Sequence, residues 1–290
     1  MNKIVFIMIV WYSLIASTTF AFDRQDTLRG SNGRGRSWWD VQHYALGLLN
    51  IDNQNQEILG SVDIRFKVVE AGFDSMQIDL QDSLTIESVL WSNVDTAFFT
   101  HLKLNKSNNP EFFWRATNLS FEKDGNVYWI KFPFRNFTVG SKQQISIVYS
   151  GKPRVAKSAP WDGGLIWMED STGNPWIAVA CQGLGASSWW PCKDYQGDEP
   201  DQGMTIYSNE ANLIANGKSF IDSIHTVDPI TTEVRTVIKE YSSGRIQNPI
   251  NTYNATFYIG DYISWTDTLI GEKGKLDLSF HGLRYNEEKA

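Results

Sequence analysis

An all-β fold, built as an antiparallel sandwich or an extended sheet-rich domain, is what this sequence predicts. Three observations carry that expectation. Apolar residues alternate with polar ones at period two in segment after segment, turn signals recur between those segments, and no segment between residues 23 and 284 shows a helical apolar stripe. At 290 residues, with 42% hydrophobic and 20% charged residues, the chain has the composition of a folded protein with one large core or two ordinary ones.

The elements follow in order. Val62-Asp63-Ile64-Arg65-Phe66-Lys67-Val68 alternates strictly, which places Val62, Ile64, Phe66 and Val68 in a core and the charged residues in water. Met76, Ile78 and Leu80 alternate with Gln77, Asp79 and Gln81 in the same way. Asp124-Gly125-Asn126 marks a turn before the apolar, aromatic strand Val127 to Phe132. Ile145 and Ile147 alternate more weakly with Gln144 and Ser146. Tyr253 to Ile263 carries aromatic and β-branched residues, and Leu276, Leu278 and Phe280 alternate with Asp277, Ser279 and His281. Further turns are signalled at Asp52-Asn53, Asn108-Asn109-Pro110, Val139-Gly140 and Gly271 to Gly274. No repeat period or Pro/Gly/Ser-rich linker divides the chain.

Residues 1–21 read as a targeting segment. Lys3 supplies a positive start, Ile4 to Ala16 is an apolar run broken only by Ser13, and Thr19-Phe20-Ala21 places small residues at −3 and −1 of a cleavage site. An uncleaved signal anchor is the other reading, and export to a periplasmic or extracellular compartment follows from both. No second apolar stretch of bilayer length follows. Residues 22–285 form the β-domain. At 286–290, Asn286 is a good N-cap and Glu287-Glu288 suit the positive end of a helix dipole. That is the start of a helix from a longer architecture, and a frayed polar tail fits equally well.

A net charge of −7 disfavours a nucleic-acid partner, since phosphate binding needs clustered Lys and Arg. His43, His101, His225 and His281 are unpaired at helical spacing, and neither H-E-x-x-H nor C-x-x-C occurs, so the chain shows no zinc site of its own, a site assembled from these distant histidines being the other reading. Gly185-Ala186-Ser187-Ser188-Trp189 lacks the second glycine of a nucleophile elbow, and Gly183-Leu184-Gly185 is too short for a dinucleotide fingerprint. Asp194, Asp198, Glu199 and Asp201 are expected to form a solvated acidic loop shaped by Pro200. Cys181 and Cys192, the only two cysteines, are expected as small buried thiols, with a disulfide the open alternative. The 12 tryptophans are expected mostly to fill a wide core. In Trp38-Trp39 and Trp189-Trp190, strand geometry would turn one member of each pair outward. Asn105, Asn118, Asn136 and Asn254 begin N-x-S/T triplets.

Gln182 to Asp201, QGLGASSWWPCKDYQGDEPD, resembles the Q…P-C…D-E-P signature in the N-terminal domain of M1-family zinc aminopeptidases. Gln182, Pro191-Cys192 and Asp198-Glu199-Pro200 carry the match. Trp161 to Gly164, Gly173 to Trp176, Asn248 to Asn251, Leu28 to Gly30 and Trp38 to Asp40 are similar to the bacterial branch of the family, so the resemblance spans about residues 25 to 290.

The resemblance implies a saddle-shaped, all-β multi-sheet domain packed on a thermolysin-like catalytic domain. That second domain would carry G-x-M-E-N and H-E-x-x-H and bind the zinc. The expected partners are that missing domain and the amino end of a peptide substrate. Substrate binding falls to Gln182 and Gly183, because a neutral amide oxygen accepts from an ammonium and flanking glycines let a ligand come close. Trp167-Met168-Glu169-Asp170 fails as G-x-M-E-N. Leu184 stands where some members carry an acid, which leaves the amine contact to Gln182 and a Glu of the missing domain. Alone, the chain is expected to be inactive and to expose an apolar patch near Gln182 and Trp189-Trp190. The rival reading is a stand-alone secreted β-sandwich module binding peptide or glycan through exposed Trp and the acidic loop.

Overall fold

The computed structural model describes residues 22–93, 117–208, 210, 212–227, 234–272 and 274–289. The targeting segment, His101 and Asn105 lie outside them. One α-helix and 17 strands are present among the described residues. The helix is α1 (Arg24–Gly30). The strands are β1 (Trp39–Asp52), β2 (Glu57–Val68), β3 (Ser75–Asp79), β4 (Leu84–Asn93), β5 (Thr117–Asn118), β6 (Ser120–Asp124), β7 (Val127–Lys131), β8 (Lys142–Gly151), β9 (Gly164–Glu169), β10 (Pro175–Ala180), β11 (Met204–Ser208), β12 (Leu213–Ala215), β13 (Lys218–Val227), β14 (Val234–Ile246), β15 (Phe257–Ile259), β16 (Tyr262–Gly271) and β17 (Gly274–Leu283).

They assemble into four sheets among the described residues. The orders are β13-β14-β11-β1-β2-β8-β4-β5, β3-β7-β6, β12-β15-β10-β9, and the ribbon β16-β17. The all-β expectation is correct. Among the described residues the named strands pair antiparallel except where β11 returns beside β1 in parallel register, Tyr44 opposite Met204; a single parallel bridge also joins Val155 to Leu165. The hairpin β6-β7 turns at Gly125, whose φ of +62° is a left-handed conformation that glycine adopts without a Cβ penalty.

Alternation in β2 puts Val62, Ile64, Phe66 and Val68 in the core as expected, joined by Ile145 and Ile147 of β8 and by Met76 and Ile78 of β3, but Asp63, expected in water, is buried too, on a strand flanked by β1 and β8. Trp38 stands at the centre of an aromatic cluster, edge-on to Phe66 and Phe132 and stacked on Phe73 and Phe137. Such contacts add about 0.5–1.5 kcal/mol per pair beyond area burial.

Four further expectations are corrected. First, α1 exists; its sequence shows no apolar stripe because it buries no residue. Second, Gln77 and Asp79 are buried, because α1 and the segment 182–194 cover the outer side of β3. Third, Trp38, Trp39, Trp189 and Trp190 are all buried. Trp38 precedes β1, and Trp189-Trp190 follow a 3-10 turn, Ala186–Ser188, so strand alternation does not separate the pairs. Fourth, Leu276 and Phe280 alternate correctly but stay exposed, since among the described residues β17 pairs with β16 alone and that ribbon lies outside the core.

Candidate functional site

β10 ends at Ala180 and Cys181 is buried; the chain then turns outward, leaving Gln182 and Gly183 exposed. Two hydrogen bonds shape the turn, Leu184 N–H and Gly185 N–H donating to the Cys181 carbonyl at 3.2 and 3.0 Å. Gly183 has φ +72° and Gly185 φ +79°. At Gly185 a side chain would collide with the Asp194 carboxylate, so this glycine is required by packing as well as by backbone conformation. The segment then re-enters the protein. Cys192 exchanges backbone hydrogen bonds with Asp79, at 2.8 and 3.1 Å.

Gln182 and Gly183 open onto a cleft of about 640 Å³ whose other walls include Asp26 and Arg29 of α1, Asp194, Tyr195 and Tyr253. The Arg29 guanidinium donates to the Gly183 carbonyl at 3.0 Å. Residues that the resemblance scattered along the chain therefore meet here. Leu28-Arg29-Gly30 supplies one flank; Gly163 packs against the Gln182 carbonyl on another. The Asn251 side-chain amide donates to the Gln196 carbonyl at 3.1 Å.

Below the cleft sits a fully buried ion pair, Arg36 with Asp79. Arg36 also donates to the carbonyls of Arg29 and Ser31, at 2.8 and 2.9 Å, and so closes the C-terminal end of α1. Asp79 accepts from the Gln77 side chain at 3.0 Å and from the Asp194 backbone N–H at 2.9 Å. Burial pushes the Asp79 carboxyl upward while Arg36 opposes it. A second pair, Lys193 with Asp198, lies in the adjoining loop. The Lys193 ammonium donates to the Trp39 carbonyl at 2.7 Å and lies 4.7 Å from the centre of its ring; burial lowers its pKa against the pull of Asp198.

The solvated acidic loop is thereby corrected. Asp194 accepts from Ser187 N–H and Oγ at 3.2 and 2.6 Å, Asp198 is paired with Lys193, and Asp201 accepts from Gln42 at 2.8 Å; Glu199 and Asp201 face solvent. Cys181 and Cys192 are free and buried, as expected, and burial raises the Cys181 thiol to about 12. The surroundings of Gln182 are polar, and Trp189-Trp190 are sealed beneath, so the apolar surface lies elsewhere. It lies in part on the β16-β17 ribbon, where Leu269, Ile270 and Leu276 are exposed, and in part on one face of the four-stranded sheet. Register places Ile166, Met168, Trp176, Ala178, Ile214 and Tyr258 on one side, with Met168 57% and Tyr258 39% exposed. Leu165, Ile177, Val179 and Phe257 fill the core on the other side.

Sequence reasoning missed Arg29, Asp26, Arg36 and Asp79. The spacing Asp23-x-x-Asp26, which forms a capping box, was the one local signal for α1. Among the described residues no group of three or more His, Cys, Asp or Glu is placed to hold a metal ion, and no helix is long and apolar enough to cross a membrane.

No family profile and no curated protein matches the chain. Solved structures do. An M1 zinc metallopeptidase mutant from Deinococcus radiodurans, bound to a Tyr-Ser-Ala substrate, superposes with TM-score 0.59 at 16% identity over 85% of this chain and 48% of its own. A two-domain M1 zinc metallopeptidase bound to L-tryptophan gives 0.58 at 16% identity over 84% and 48%. Leukotriene A4 hydrolase from Saccharomyces cerevisiae gives 0.52 at 15% identity over 83% and 31%. The fold is that of the M1 N-terminal β-domain, and the chain spans about half the length of the first two structures.

Proposed function

We propose that this chain is the N-terminal β-domain of an exported zinc aminopeptidase that removes N-terminal residues from peptides, and that it forms one wall of the substrate site. Exposure of Gln182 at the mouth of the cleft, within a fold shared with M1 zinc metallopeptidases, carries the reading. In this role the Gln182 side-chain oxygen accepts from the substrate's terminal ammonium, and the Gly183 flank keeps the approach free of side chains. Among the described residues no group of His, Cys, Asp or Glu is placed to hold zinc; in this reading the metal is held by the partner domain, and no step of its chemistry is assigned to this chain. The exposed apolar side chains Met168 and Tyr258 on the four-stranded sheet support the reading that such a partner packs there. β10 belongs to that sheet and leads directly into Gln182.

The test is a titration of the chain with Tyr-Ser-Ala and with its N-acetylated form, followed through the backbone amide resonance of Gly183, which the Gln182 variant also carries. The free amine is expected to bind about tenfold more tightly, the effect of one charge-assisted hydrogen bond of about 1.5 kcal/mol. Gln182→Ala should abolish the difference. Equal binding of both peptides by the unaltered chain overturns the reading. So does zinc-dependent hydrolysis of aminoacyl anilides by this chain alone.

A further inference from the structure

We propose that Arg29 is a positioning residue for the amino-end site: from α1 it holds the Gly183 carbonyl and so sets the direction in which Gln182 presents its amide. The inference rests on the reading of the Gln182 cleft given above.

The first observation is how α1 is held. It has seven residues and buries none of them, so neither intrinsic helicity nor apolar packing accounts for its place. Polar contacts do. The Asp23–Asp26 capping box closes its start. Arg24 pairs with Asp124 at 2.5 Å. The Gln25 side chain bonds the Asp124 carbonyl at 3.0 Å and the Asn126 N–H at 3.1 Å. Gln77 donates to the Leu28 carbonyl at 2.9 Å, and Arg36 takes the carbonyls of Arg29 and Ser31. The last of these rest on side chains that are themselves buried, so the end of α1 bearing Arg29 is the rigid end.

The second observation is what α1 reaches. Its contact with the exposed turn is the Arg29 guanidinium on the Gly183 carbonyl, at 3.0 Å. Gly183 is in the left-handed region, and no atom lies within 4 Å of where its Cβ would stand, so side-chain packing does not fix this residue. Of the two turn bonds to the Cys181 carbonyl, that of Leu184 N–H acts on the same peptide plane as the Arg29 contact, and that of Gly185 on the next. The Gly183–Leu184 peptide, next but one to the Gln182 side chain, is therefore held on two sides, its N–H by the Cys181 carbonyl within the turn and its carbonyl by Arg29 from outside.

The third observation is a common anchor. Asp79, the partner of Arg36, also accepts the Asp194 N–H, and the Asp194 carboxylate lies against Gly185. One buried ion pair thus supports the loop at both flanks, through Arg36, Arg29 and Gly183 on one side and through Asp194 and Gly185 on the other.

The experiment repeats the two peptide titrations on Arg29→Ala, Arg29→Lys and Gln182→Ala, with a thermal unfolding midpoint for each. Arg29→Ala is expected to weaken binding of Tyr-Ser-Ala about fivefold, the weight of one ordinary hydrogen bond, while N-acetyl-Tyr-Ser-Ala binding and the midpoint stay unchanged. Arg29→Lys is expected to recover most of the loss, since one carbonyl needs one donor. If Gln182→Ala loses the amine preference and Arg29→Ala keeps it, the positioning role falls and the proposed function stands. If Arg29→Ala weakens both peptides equally and lowers the midpoint, Arg29 is merely structural and the inference is overturned. If the unaltered chain shows no amine preference, the proposed function fails and the inference with it.

Discussion

Arg36 and Asp79 form an ion pair with the Arg36 side chain wholly out of solvent and that of Asp79 4% exposed, and the pair is shared between a helix end and a re-entrant loop. A charge pair removed from water gains little net stability from its own attraction, but removal of one partner leaves the other charge stranded. Arg36→Met is therefore expected to cost about 3–5 kcal/mol in urea-induced unfolding. The double variant with Asp79→Leu should recover much of that loss in the same measurement.

The glycines of the loop should differ. Gly185→Ala puts a methyl group onto the Asp194 carboxylate at φ +79° and breaks the contact with Ser187. Gly183→Ala meets no atom at φ +72°. The expected losses are about 3 kcal/mol for the former and about 1 kcal/mol for the latter, read from denaturation midpoints.

Lys193 gives a third expectation. Methionine there leaves Asp198 without its cation and the Trp39 carbonyl without its donor. A loss of about 3 kcal/mol is expected, with a change in tryptophan emission because the ammonium lies 4.7 Å from the Trp39 ring.

A pH dependence follows from His43, which sits on β1 opposite Arg65, with Nδ1 3.3 Å from the Gln202 carbonyl. Burial first, then the charge of Arg65, lower its pKa from 6.5 to about 4. Between those values the unfolded chain binds a proton that the native state refuses. This contribution to stability is full above pH 6.5 and is lost as pH falls through 4. It amounts to about 3 kcal/mol at most. Replacement by Gln should flatten the pH profile of the denaturation midpoint over that window relative to the unaltered chain.

Much of the sheet structure was legible in the sequence, because burial of one face writes itself as period two. Val62, Ile64, Phe66 and Val68 follow that rule, while Asp63 among them breaks it by being buried. The same rule fails at Gln77 and Asp79, whose side of β3 is covered by polar segments with no periodic signal. α1 escaped for a related reason: helical periodicity records apolar contact, and this helix makes none. The tryptophan pairs were misjudged because a strand was assumed where the chain turns. For the cleft, the glycines that flank Gln182 signalled the turn that exposes it. Arg29 and Arg36 were not legible, since their partners are backbone carbonyls, to which no neighbouring sequence pattern points.

The β16-β17 ribbon sets a condition on whatever covers it. Trp265 and Phe280 stack on one side at 5.7 Å, and the register continues that side through Asp267, Leu278, Leu269 and Leu276. Two strands by themselves are marginal in water, so this greasy strip gains by being covered. Yet Asp267 lies in its middle, and a carboxylate drawn out of water needs a donor or a cation opposite it. A purely oily neighbour is therefore penalised at that spot, and a neighbour carrying a lysine, an arginine or a well-aimed amide is favoured.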